Sequence, residues 1–196
     1  MPVTAETLCT AFRGERRLAA GDALSVARAL QAALDAAPDG PPVLVFDDAT
    51  GKRVDLDLRG SDEEVAWRLA PPPPPLPRGP GRPKLGVVAR EVTLLPRHWE
   101  WLNAQPGGAS VALRKLVDEA RKGSETKDRV RRAQEAAYRV MLELAGDRPG
   151  YEEAVRALYA ADRARFDALT ADWPADLRDY ARALAAEAFV NLNEGG

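Results

Sequence analysis

Histidine and cysteine, the side chains most often used as nucleophile activators and transition-metal ligands, occur once each in the 196 residues. His98 is the single histidine, so one chain cannot assemble a histidine metal cluster or a Ser-His-Asp relay. Its place beside Trp99 and Trp101 favours a packing or surface role. Cys9, the single cysteine, falls in an expected strand with no histidine near it in sequence, and it reads as a buried structural thiol. Asp47, Asp48, Asp55 and Asp57 invite a metal reading, but turns and solvent-facing strand positions account for such aspartates more simply. Trp99 and Trp101 are of a type that stacks on nucleic-acid bases, and core or dimer-seam plugs are the commoner use of such rings. The chain carries no phosphate-cradling P-loop, no dinucleotide glycine fingerprint and no deaminase signature. The expectation is a non-enzymatic protein with no cofactor and no metal.

Charge is more informative than reactive groups. The formal net charge is -2, yet residues 78–133 carry 13 basic against 6 acidic side chains, between flanks in which acids outnumber bases. A basic middle of this kind is the footprint of a polyanion-binding segment; a solvated helix face is the plainer alternative. A lone cysteine, no secretory leader pattern in MPVTAETLCTAFRGERR and no long apolar run predict a cytoplasmic protein without a membrane span.

Proline divides the elements that must position these charges. Pro71 to Pro75 is unbroken and continues into Leu76-Pro77-Arg78-Gly79-Pro80-Gly81-Arg82-Pro83. Proline fixes φ and lacks a donor, so residues 71–88 form a semi-rigid basic linker. Residues 1–70 read as two hairpin-plus-helix units: strands at Thr7 to Phe12 and Arg16 to Ala20 with a helix capped by Asp22, then strands at Val43 to Phe46 and Val54 to Leu58 with a helix opening at Ser61. The expectation is a small α+β domain with one four-stranded antiparallel sheet. Residues 123–196 read as three helices: Glu125 to Leu144, Tyr151 to Thr170, and one starting near Pro174.

The segment between, residues 89–122, reads as a short strand (Arg90 to Leu95) stopped by Pro96, a helix to Gln105, a Pro106-Gly107-Gly108 break, and a helix capped by Ser110 with Leu113, Leu116, Val117 and Ala120 on one face. One strand cannot satisfy its own backbone groups, and the unit is too small to bury its apolar face alone. Two copies would solve both problems. In the order strand, Pro96, helix, Gly-Gly, Ser110, helix, these residues resemble the ribbon-helix-helix (Arc and MetJ type) family of bacterial DNA-binding repressors. The whole chain also resembles a bacterial family of unknown function, which implies organisation but no activity.

The ribbon-helix-helix resemblance implies a homodimer whose paired strands enter a DNA major groove. Arg90, Val92 and Leu94 would face the bases, or Thr93 if the strand has the opposite phase. Arg97, Ser110 and Lys115 would meet phosphates, with the second helix presenting its first N–H groups. Gly81-Arg82-Pro83-Lys84 partly resembles a minor-groove arm, adding Arg82 and Lys84 as phosphate contacts. Neither phase supplies a row of polar base readers. A transcriptional regulator therefore stands beside a protein-interaction module, antitoxin-like or scaffold, in which this segment only dimerises. A small-molecule sensor built on the N-terminal domain is a third reading.

Overall fold

The computed structural model describes residues 3–71 and 88–190. In chain order its elements are β1 (Leu8–Arg13), β2 (Arg16–Asp22), α1 (Ala23–Ala36), β3 (Val43–Asp47), α2 (Asp62–Leu69), α3 (Pro96–Asn103), α4 (Gly108–Ala145), α5 (Tyr151–Tyr159), α6 (Arg163–Leu169), α7 (Ala175–Ala185) and a closing 3-10 turn, Ala186–Phe189. This is the expected α+β class. The chain divides into two compact units: one holds the described residues before the linker together with those from Thr126 onward, and the other ends at Glu125.

The sheet of the larger unit has the order β2-β1-β3, all antiparallel. Gly14, at φ +59, turns β1 back into β2. The Asp22 carboxylate then accepts from the Ser25 N–H at 3.0 Å and caps α1. In α2, Ser61 and Glu64 form the reciprocal capping box that their spacing predicts. Central strand β1 is buried on both faces. Cys9 and Ala11 lie with Val45 against α1 and α2, in a core that includes Val26, Leu30 and Val65. Phe12 and Phe46 lie instead against Val140 of α4 and Tyr180 of α7. The Phe12 and Tyr180 rings are 5.3 Å apart, and the Tyr180 hydroxyl donates to Asp48 Oδ1 at 2.7 Å. The N-terminal residues and the C-terminal helices, read from sequence as separate segments, thus share one core.

Two further expectations change. The fourth strand is reduced to one bridge, Phe46 with Arg53, and a bond from the Val54 N–H to the Val45 carbonyl. Val54, Leu56 and Leu58 still alternate inward onto the core, because alternation reports burial rather than pairing. Two carbonyls at the end of this stretch are met by side chains: Arg68 donates to the Asp57 carbonyl at 3.2 Å and Gln31 to that of Leu58 at 3.0 Å. The helix expected over Tyr151 to Thr170 is two. It ends where Ala161, at φ 54, turns left-handed and the Asp162 and Ala161 N–H groups close back onto Ala157 and Leu158. Asp162 then caps α6 through the Arg165 N–H.

Asp47, Asp48 and Asp57 have structural uses. Asp47 accepts from the Ala49 N–H and the Thr50 hydroxyl and fixes the turn after β3; Asp57 takes the Arg59 guanidinium. That turn lies flat on α4. Gly51 sits at φ +62, and a Cβ there would overlap the Ala136 carbonyl, while Arg139 donates to the Thr50 carbonyl at 2.6 Å. Gly51→Ala combines a disfavoured φ with backbone overlap, and urea unfolding should show a loss of about 2–4 kcal/mol.

Stability should also fall in alkali. Burial, and then the carboxylates of Asp48, Asp47 and Asp22, push the Cys9 thiol from 9.0 up to about 11. Burial and the bond to Asp48 raise Tyr180 in the same direction. Both groups keep their proton in the folded state where the unfolded chain has lost it. Stability is therefore full below about pH 9 and declines as the pH rises towards 11, Cys9 contributing roughly 2–3 kcal/mol of the loss. Unfolding measured across that interval should show the decline, and Cys9→Ala should reduce it to the part that Tyr180 contributes.

Candidate nucleic-acid interface

In the smaller unit, the stretch expected as a strand, Arg90 to Leu95, is not one within a single chain. Residues 88–94 belong to no helix or strand, and among the described residues their backbone groups make no hydrogen bond. The physical reason is the one that the sequence supplies: a strand exists only against a partner. Leu95 has extended backbone angles and starts α3 without a side-chain cap, with Pro96 in the first turn, where its missing N–H costs nothing. The Leu95 carbonyl accepts from the His98 N–H at 2.8 Å.

After α3 the chain reverses through Gln105 to Gly108. Gly107 (φ +87) and Gly108 (φ +75) both occupy the left-handed region, and the Gly108 N–H closes onto the Gln105 carbonyl at 2.9 Å. The next helix begins at Gly108, two residues before the expected cap. Ser110 is therefore an exposed first-turn residue and not the N-cap. The first-turn N–H groups around it have no intrahelical acceptor. The two helices expected on either side of Gly123 and Ser124 are one, α4, because a single glycine costs only about 1 kcal/mol in a helix and no proline enforces a stop.

Exposure in this unit is unusual. Leu102 and Ala112 are the buried side chains among its described residues, whereas Val88, Val92, Leu95, Trp101, Leu116 and Val117 are 43–73% exposed. Arg90, Thr93, Arg97 and Lys115 are exposed and Leu94 is half-buried, so both strand phases remain accessible in the lone chain. None of Arg90, Arg97, Ser110 and Lys115 bonds to another of the set. Arg82 and Lys84 lie outside the described residues.

The electrostatics differ between the units. All eleven ion pairs of the described residues lie in the larger unit. Arg90, Arg97, Arg114, Lys115, Arg121 and Lys122 have no carboxylate partner among the described residues. On α4, Arg114 precedes Asp118 and Lys115 precedes Glu119 by four residues, the weaker order for a helical pair. Arg114, Arg121 and Lys122 extend the free cations beyond Lys115, and their helical spacing in the sequence is the signal for them. Glu91, Glu100, Asp118, Glu119 and Glu125 nearly balance the segment. The basic excess of the middle region therefore rests on the linker and on Lys127 to Arg132.

The glycine turn gives a direct test. An alanine at Gly108 meets nothing within 4 Å but must keep φ +75, whereas one at Gly107 also meets the Val111 side chain at 3.1 Å. Gly108→Ala should cost about 1 kcal/mol, and Gly107→Ala more, when unfolding is followed by tryptophan fluorescence.

Among the described residues, no helix is long and apolar enough to cross a membrane. No curated protein and no solved structure matches the chain. One family model matches residues 8–185, nearly the whole chain and both units. The chain belongs to the bacterial family described as "uncharacterized protein conserved in bacteria" (DUF2239).

Proposed function

We propose that this is a non-enzymatic, homodimeric DNA-binding protein, a transcriptional regulator of ribbon-helix-helix type. The observation that carries the reading is the backbone of residues 88–94, which makes no hydrogen bond among the described residues. Such a row of donors and acceptors is a template for the same stretch of a second chain. Pairing would also bring together exposed Val92, Leu95, Trp101, Leu116 and Val117, giving the unit the core that one copy lacks.

Unpaired cations support the second half of the reading. Arg90, Arg97 and Lys115 reach solvent with no carboxylate partner among the described residues, and the sequence places Arg78, Arg82 and Lys84 just before them. Phosphate contacts by such groups release counterions and give affinity that falls steeply with salt. The strand offers one polar base reader in one phase, Arg90, and one in the other, Thr93, beside Glu91. Most of the affinity is therefore assigned to phosphates rather than to base edges.

One observation favours a second reading, a protein-interaction module that only dimerises: Val92 and Leu95, in opposite phases, are both about half exposed, and apolar side chains suit a protein surface better than a groove. The two readings separate in one experiment. Sedimentation should show a dimer at micromolar concentration, and fluorescence anisotropy on duplex DNA should give binding that weakens steeply from about 50 to 200 mM salt. Reversing charge at Arg82, Lys84 and Arg90 should weaken binding, flatten the salt slope by roughly two per chain through the two phosphate contacts, and leave the dimer intact. A monomer would sink both readings. A dimer indifferent to DNA even at low salt would leave the interaction module.

A further inference from the structure

The larger unit contains a cleft of about 420 Å³, within the range of roughly 300–1,000 Å³ typical of small-molecule sites. Its walls come from the turn after β3 (Asp48), from α4 (Arg129, Arg132, Ala136) and from the end of α7 and the 3-10 turn (Leu184, Glu187). All of these belong to one compact unit. Alanines on α4 leave the space open, and Leu184 gives it an apolar floor.

The charged groups on the rim have distinct states. Arg129 Nε is paired with Glu187 at 3.0 Å, so those two charges cancel locally. Arg132 has no hydrogen-bond or ion-pair partner among the described residues. Asp48 receives the Tyr180 hydroxyl on Oδ1 at 2.7 Å, and its second oxygen has no partner among the described residues. The cleft thus offers one unused guanidinium, one unused carboxylate oxygen and an apolar floor, with two positive and two negative groups in balance. A simple anion would face Asp48 and Glu187; a simple cation would face two guanidinium groups. A zwitterion satisfies both sides.

We propose that this cleft binds a free amino acid with a small or medium apolar side chain. The α-carboxylate pairs with Arg132, whose planar fork suits it; the ammonium group is taken by Asp48, and the side chain lies on Ala136 and Leu184. Tyr180 holds the Asp48 carboxylate in place from behind. This site is independent of the DNA-binding reading, since none of its residues lies in the segment assigned to that function.

Calorimetric titration of the full chain with L-alanine, L-valine, L-leucine and L-methionine tests it. 4-Methylpentanoate and 3-methylbutylamine serve as leucine without its ammonium and without its carboxylate. At least one amino acid should bind saturably, and each leucine fragment should bind at least tenfold more weakly than leucine. Arg132→Gln, at an exposed and unpaired position, should weaken binding by about ten- to a hundredfold, the usual worth of a charge-assisted hydrogen bond. Asp48→Asn, which still accepts from Tyr180, should do the same. Circular dichroism identifies any variant that has lost its fold, and the other then decides. The proposal fails if no amino acid in the set binds, if either fragment binds as tightly as leucine, or if a folded variant binds as tightly as the wild type.

Discussion

Phe12 and Phe46 point away from α1 and α2 on the same sheet, and everything in the larger unit follows from how that second face is covered. Val140 and Tyr180 close it. The contact is sealed by a directional bond, Tyr180 to Asp48, and by the flat approach of Gly51 to the α4 backbone. Full burial of each phenylalanine contributes on the order of 2–3 kcal/mol, and neither ring would find that burial in a two-layer domain made of residues 1–70 alone. The same arrangement explains the protonated state of Cys9 and Tyr180. Both lie near the turn aspartates, in a setting that disfavours charge.

The smaller unit has the opposite economy. Its backbone before Leu95 is unpaired, its large apolar side chains are mostly exposed, and its cations have no acidic partners among the described residues. The larger unit spends its polar groups internally, on caps, on the turn after β3 and on every ion pair of the described residues. Unsatisfied backbone and exposed apolar surface are costly in isolation. A second chain would meet the first requirement, and an anionic partner would use the free cations.

Local structure was legible in the sequence wherever a single side chain settles it. Asp22, Ser61 and Pro96 mark helix starts because each acts on its own first turn, and Gly107-Gly108 mark a reversal because only glycine adopts that backbone freely. Alternation at Val54 to Leu58 correctly gave the buried side and wrongly implied a ladder, since alternation reports which side chains are buried and not which backbone groups are paired. The β1 run Leu8-Cys9-Thr10-Ala11-Phe12 carried a sign of two-sided burial in its nearly continuous apolar character, but nothing local identifies α4 and α7 as the cover. Ser110 shows the limit of capping rules: a good cap residue two positions inside a helix is still only a helical serine. Of the candidate interface, the residue types and the need for a partner were readable. The absence of ion pairs among its described residues was not, because it depends on the rotamers that the side chains adopt. The amino-acid cleft was invisible, since Asp48, Arg132 and Leu184 are brought together by the fold alone.

The dependence of β1 on Tyr180 bears on how the chain is made. A ribosome releases residues in order, so the sheet emerges long before the helix that covers Phe12 and Phe46. Loop closure over such a distance is slow relative to hairpin formation, and during that interval two aromatic rings stand on an open sheet whose edges are unprotected. Nascent chains at this stage are natural clients for a holding chaperone. A gene truncated anywhere before α7 should yield an aggregation-prone product rather than a smaller soluble domain.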